Sequence, residues 1–343
     1  MELPNFHQVI INELNNFGIY GGNAELITYA ILALILFLIA AVIVLVLTYL
    51  ERKIIADVQN RLGPMVAGWH GILQPIADTL KLLFKEDIRP RERDKFLYFI
   101  APILVFVPTF LMLTVIPFDK NFIFADVPTA LLIFIAISGI GPLGILIAGY
   151  SSGNKYALLS SLRSAAQMMS YEIPIVIVAL SVVILSGSLS IVEIVEKQSN
   201  LWFVIPLFIG FFVFLVASIA EMGRVPFDTI EAESELVCGY NTEYSGMRFA
   251  FFYLAEYLHL FIGSAIIVLL FFGGWKFPIL DEYIPGILIF FAKTFALVYL
   301  AIWIRGTLPR FRIDQVLNLG WKILIPLSLL NLGIAGIVAF AMS

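Results

Sequence analysis

Eight stretches of this 343-residue chain are long and apolar enough to cross a bilayer, and that fact constrains the fold before any motif is read. Residues 26–50, 96–118, 127–150, 173–192, 199–220 and 323–343 contain no Asp, Glu, Lys or Arg. The run 249–275 carries only Glu256 and His259, and the run 283–304 only Lys293. A membrane helix needs about 20 mostly apolar residues. Backbone groups in hydrocarbon must pair within their own segment, so these runs are helices rather than open strands. The expectation is an all-α, polytopic integral membrane protein with about eight transmembrane helices and amphipathic surface helices between them. Composition agrees, being 61% hydrophobic and 13% charged, where soluble domains sit near 45–50% and about 25%.

Lysine and arginine give the orientation. Loops 51–95, 151–172, 221–248 and 305–322 hold seventeen of them, against three in the opposite loops. Those four loops are therefore expected in the cytoplasm, and an even number of spans puts both termini outside. The first residues, M-E-L-P-N-F-H, have no basic region of a signal peptide. Segment 3–20 is mildly amphipathic and suited to docking at the outer surface. No Gly/Ser linker or obvious repeat divides the chain, so residues 1–343 are read as one membrane domain.

Several chemistries lack their residues. Cys238 is the one cysteine, which excludes an internal disulfide and a self-contained iron–sulfur cluster needing about four thiolates. His7, His70 and His259 have no metal-ligand spacing. Neither G-x-x-x-x-G-K-[ST] nor G-x-G-x-x-G occurs. The net charge of -4 offers no basic patch for nucleic acid. The segment S-G-I-G-P-L-G at 138–144 reads as close helix packing and a kink at Pro142.

The charged loops hold the chemistry. In 69–86, Ile72, Leu73, Ile76, Leu80 and Leu83 share one helical face while Gln74, Asp78, Lys81 and Lys85 share another. That pattern fits a helix lying at the interface, either capping the bundle or walling an entry site. In 151–172, Tyr156, Ser160, Arg163 and Gln167 form a polar stripe leading to Glu172. The stretch 220–246 gathers Glu221, Asp228, Glu231, Glu233, Glu235 and Glu243 against Arg224 alone. Pro226 suits a first helical turn, after which Asp228, Glu231 and Glu235 would share a face. A solvated acidic helix start would look similar, but it would carry compensating cations within four residues. Ionisable groups inside spans are costly and are functional candidates. Glu221, Glu256, His259 and Lys293 qualify, and with Glu172 and Glu243 they form a possible file for protons.

Eight motifs carry a resemblance. They are E-R-K at 51–53, Q-N-R-L-G-P at 59–64, L-Q-P-I-A-D-T-L-K-L at 73–82 and L-R-S-A-A-Q-M-M-S-Y-E at 162–172. E-M-G-R-V-P-F-D with E-A-E-S-E-L-V at 221–237, E-Y-S-G at 243–246, A-E-Y at 255–257 and R-G-T-L-P-R-F-R-I-D-Q at 305–315 complete the set. In this order the chain resembles the H-subunit family of bacterial NADH:quinone oxidoreductases, equivalent to subunit 1 of mitochondrial complex I. The resemblance implies a multi-pass protein of the bacterial cell membrane, joined to other membrane-arm subunits and to quinone-site peripheral subunits. Quinone would be the substrate, with FMN and iron–sulfur clusters on partner subunits and no cofactor held covalently or by metal ligands on this chain. Carried over by motif, Arg52, Arg61, Arg224, Phe227 and Asp228 would line the quinone chamber or its mouth, and Asp78, Glu231, Glu233 and Glu235 its acidic wall. Glu172, Glu221, Glu243 and Glu256 would start a proton relay, to which Lys293 is added on its depth alone. Arg305, Arg310 and Arg312 would brace the last cytoplasmic loop against the peripheral arm.

Three alternatives stand beside this. A kindred membrane subunit of a hydrogenase-type complex would share the fold. A secondary transporter would show inverted repeats and acids at the midplane, whereas the acids here gather at one end. A passive anchor would not need Glu256 or Lys293 within its spans.

Overall fold

The structure, a computed structural model, describes residues 22–199, 201–229, 239–277 and 283–342. Among these, seven helical segments are long and apolar enough to cross a membrane. The first is α1 (Gly22–Val58), followed by the short α2 (Gln74–Phe84) and by α3 (Lys95–Val115). The third crossing is broken into α4 (Ala130–Ser138) and α5 (Gly141–Ser151). Then come α6 (Lys155–Ser186), the short α7 (Ile191–Lys197) and α8 (Phe208–Glu221). The chain closes with α9 (Gly246–Phe271), α10 (Gly286–Thr307), α11 (Ile313–Leu319) and α12 (Ile325–Met342), the last two joined through a π-helical turn at Gly320–Leu324.

Helix ends follow local chemistry. Asp94 accepts from the backbone N–H of Phe96 and Leu97 and starts α3, and Asn154 does the same for Tyr156 at the head of α6. Gly187, at φ 66°, ends α6 in the left-handed conformation that glycine adopts freely. Within α3, Pro102 and Pro108 are tolerated because neighbouring helices bury that face.

The bundle has two hubs. From Leu260 to Phe271 every residue of α9 is buried, and α9 packs against α1, α2, α3, α7, α8 and α10. The second hub, α6, packs against α5, α8 and α12. The crossings alternate in direction, so one end of the bundle collects α2, the turn after α8 and the segment between α10 and α11. We call this the charged face.

The structure corrects three boundaries. Residues 51–58 continue α1, which at 37 residues is about 55 Å long and overshoots a 30 Å core. Residues 155–172 are the first half of α6 rather than a loop. Among the described residues of the fifth apolar run, only those from Phe208 onward form a helix, the 14-residue α8. Pro206 stands just before it and biases the preceding residue away from helix. The irregular segment survives at depth because protein satisfies its backbone. Gln198 Oε1 accepts from Phe203 N and Gly273 N, Gln198 Nε2 donates to Leu269 O, and Val204 N donates to Phe271 O.

The amphipathic reading of 72–83 matches α2. Gln74 Nε2 donates to Asp78 Oδ1, while Ile76, Leu80 and Leu83 lie open on the surface of the chain. Segment 3–20 lies outside the described residues.

Candidate functional site

Five helices and one turn meet below the charged face. Arg224, in the turn after α8, points Nη1 at Glu51 Oε2 (2.5 Å) and Nη2 at Glu256 Oε1 (3.0 Å). Arg305 of α10 takes the other oxygen of Glu51. The side chains of Arg224 and Glu51 are 5% and 7% exposed, so both charges have left water and depend on each other. Such a pair holds only where attraction and hydrogen bonds repay desolvation. Burial works against the charge of Arg224, but the Glu51 and Glu256 carboxylates outweigh it and raise its pKa above the ordinary arginine value. The guanidinium also sits 4.4 Å over the Tyr257 ring, a cation–π contact.

From this cluster a cavity of about 70 Å³ leads inward. Arg224, Asp228, Glu256, His259, Glu221 and Ser138 are among its lining residues. His259, one helical turn beyond Glu256 on α9, brings Nε2 to 3.9 Å from Glu221 Oε1. Glu221 ends α8 and feels the charge of Glu172 on α6. Glu172 in turn faces the break between α4 and α5, where a Cβ on Gly139 would come within 2.8 Å of Glu172 Oε1. The structure thus brings together Glu256, Glu221 and Glu172 from three stretches of sequence.

The turn 222–229 is latched by one side chain. Gln167 Nε2 donates to Ala220 O (2.7 Å) and Phe227 O (2.9 Å), and its Oε1 accepts from Thr229 Oγ1 (2.6 Å). On sequence Gln167 belongs only to a polar stripe; in the structure it is fully buried. Phe227 packs between Tyr171 and Phe311, each ring centroid 5.7 Å away. Asp228 pairs with Arg310 Nη2 at 3.1 Å. Pro226 does not open a helix: Val225–Pro226 is a cis peptide within a turn. Glu231, Glu233 and Glu235 lie outside the described residues, so the shared acidic face does too.

Other expected residues are more dispersed. Arg52 and Asp78 join α1 to α2 at 2.6 Å, beside a hollow of about 220 Å³ bounded by Glu51, Arg52, Tyr253 and Tyr257. Arg61 stays on the surface, donating from Nε to Gln59 Oε1. Glu243 sits apart from the inner cavity. Its Oε1 accepts from Asn154 Nδ2 (2.8 Å) in a surface hollow shared with Arg91 and Lys155. Arg305 and Arg310 turn onto acids of this chain, while Arg312 remains exposed beside Asp314 (2.7 Å).

Lys293 stands apart from these acids. It lies two turns from the start of α10, at the end of the bundle opposite the charged face. Its ammonium donates to the carbonyls of Phe272, Gly274 and Lys276, at 2.7, 3.0 and 2.6 Å, and lies 4.8 Å from the Trp202 ring. It caps the carbonyl end of α9, where a cation is favourable. The helix begins three residues later than the apolar run, so Lys293 lies nearer the helix start than the middle of the run implies.

Glu51 is a site residue that the motif-by-motif reading misses. A signal is present: an acid directly after 25 uncharged residues, at the inner end of span one. Among the described residues, no group of three or more His, Cys, Asp or Glu side chains is arranged to hold a metal.

Comparison with known proteins places these features. The family model described as NADH dehydrogenase matches residues 31–336. The H subunit of NADH-quinone oxidoreductase from Bacillus cytotoxicus is 47% identical over 325 residues, covering 94% of this chain and 95% of that protein. The H subunit from Brevibacillus brevis is 49% identical over 312 residues, covering 88% and 93%. The chain therefore belongs to the NADH dehydrogenase family, as an H-type membrane subunit of NADH-quinone oxidoreductase.

Proposed function

We propose that this subunit admits quinone to the complex at its charged face and starts the relay that couples quinone reduction to proton translocation. The observation that carries the reading is a single cavity touching both the Arg224–Glu256 pair and the His259–Glu221 pair. Arg52, Arg61, Arg224, Phe227 and Asp228 line the chamber or its mouth, and Asp78, Glu231, Glu233 and Glu235 form its acidic wall. Quinone takes up two electrons and two protons to become quinol. Electrons come from FMN and iron–sulfur clusters on partner subunits; the sequence holds one cysteine, and a cluster needs about four thiolates. Arg224 divides its charge between Glu51 and Glu256, so a new negative charge near Asp228 draws it away and leaves Glu256 ready to bind a proton. Glu221 and Glu172 continue the path, and Glu243 guards a separate surface entry.

The charged face is cytoplasmic on the cation count, and both termini then lie outside a bacterial cell membrane. Residues 1–343 act as one membrane domain. Arg312 is open to the peripheral arm, and Arg305 and Arg310 stiffen the same segment from within.

A photoreactive quinone analogue added to the intact complex tests this. Labelling is expected within 51–86 or 221–246. Exclusive labelling of loops at the opposite end would overturn both the chamber and the orientation. Purification in mild detergent is expected to recover the chain with redox partner subunits. A lone monomer with transport activity in vesicles would favour the transporter instead.

A further inference from the structure

We infer that His259 is a proton-carrying member of the path, bridging Glu256 and Glu221; this rests on the relay reading above. Four observations converge on it. His259 lies one turn from Glu256 on the same helix, so the two side chains share a face. Its Nε2 is 3.9 Å from Glu221 Oε1. All three side chains line the same cavity. Among the described residues, no hydrogen bond or ion pair links Glu256 to Glu221 directly, so the file is incomplete without a group between them.

Imidazole suits the gap. Its two nitrogens can accept a proton on one side and release one on the other. The separation of 3.9 Å exceeds a hydrogen bond, and contacts of that length commonly close through a water or a side-chain rotation. A cavity of about 70 Å³ has room for this, since a water occupies about 30 Å³. Arg224, whose buried Nε has no hydrogen bond among the described residues, lines the same cavity. In the transfer, the Glu256 carboxyl gives its proton to one ring nitrogen, and the N–H at the other gives its proton to the Glu221 carboxylate. Glu256 is left ionised, Glu221 neutral and the imidazole in its other tautomer, which a ring flip resets. A histidine kept only for packing would need neither the cavity nor the carboxylate.

The test uses the intact complex in sealed vesicles, with NADH and a short-chain quinone. His259→Asn keeps size and hydrogen bonding but cannot carry a proton, and His259→Ala leaves space for added imidazole. Both are expected to assemble and to lower NADH-driven proton translocation by about tenfold, less than loss of a positioned acid–base group at a reacting centre. Imidazole is expected to restore the Ala variant. Glu221→Gln serves as the control. Wild-type pumping in His259→Asn with pumping lost in Glu221→Gln would overturn the role of His259 and leave the relay standing. Normal pumping in both would overturn the relay itself. Loss in both His259 variants without recovery by imidazole would assign the residue to packing.

Discussion

Arg224 Nη1 lies 2.5 Å from Glu51 Oε2, a contact between residues 173 positions apart. It ties the inner end of the first span to the turn after α8, and the other nitrogen of the same guanidinium reaches Glu256. Substituting Arg224→Met leaves two carboxylates short of a cation. Removing one partner of a buried pair typically costs about 3–5 kcal/mol. The complex should lose thermal stability accordingly, and Arg224→Met with Glu51→Gln together should recover part of the loss. Heat-inactivation half-lives of the four members of this cycle check it; strict additivity would mean the two groups are not coupled.

Glu221→Gln preserves shape and removes the ionisable group. Quinone reductase activity and the pumping linked to it should both fall, by an order of magnitude or about 1.4 kcal/mol of barrier, with the complex still assembled. Activity and pumping equal to wild type would return Glu221 to a structural role.

Gly139 separates position from stability. Its backbone is helical, so alanine is sterically allowed there, but the new Cβ would meet Glu172 Oε1 at 2.8 Å. The carboxylate is the end of a flexible side chain and can swing aside, so Gly139→Ala should change stability by less than about 1 kcal/mol. Pumping should nevertheless drop because Glu172 is displaced from Glu221. Parallel measurements of melting temperature and proton translocation decide it, and an unaffected pumping rate would remove Glu172 from the path.

Lys293→Met should behave in the opposite way. Three charge-assisted hydrogen bonds to carbonyls are lost, at a cost of about 2–3 kcal/mol given that such bonds contribute about 1.5–3 kcal/mol each and water replaces some of them. Heat stability should fall while protons moved per electron stay unchanged. A lower stoichiometry in a fully assembled complex would place Lys293 in the relay.

Span counting is legible because hydropathy is local. A run of 20 apolar residues has to pair its own backbone, whatever surrounds it. The same locality explains the errors. Hydropathy marks the edge of the bilayer, not the end of a helix, so the continuations of α1 through Glu51 and of α6 from Lys155 look like loops. At the fifth run Pro206 is visible, but the role of Gln198 in satisfying the unwound segment is not. The acids of the site stand out one by one from their cost inside an apolar chain. Which of them meet cannot be found that way, because Glu51, Glu172, Glu221 and Glu256 come from four separate helices.

The amino-acid sequence by itself therefore determined the membrane class, the alternating crossings, the side on which charge collects and the kind of chemistry the acids offer. Each is set by residue type and short-range spacing. The tertiary structure decided the pairing of Arg224 with Glu51 and Glu256, the placing of His259 against Glu221, and the hydrogen bonds of Lys293 to the carbonyls after α9. Those depend on how helices turn and pack against one another, and a buried charge takes whichever partner that packing brings within reach.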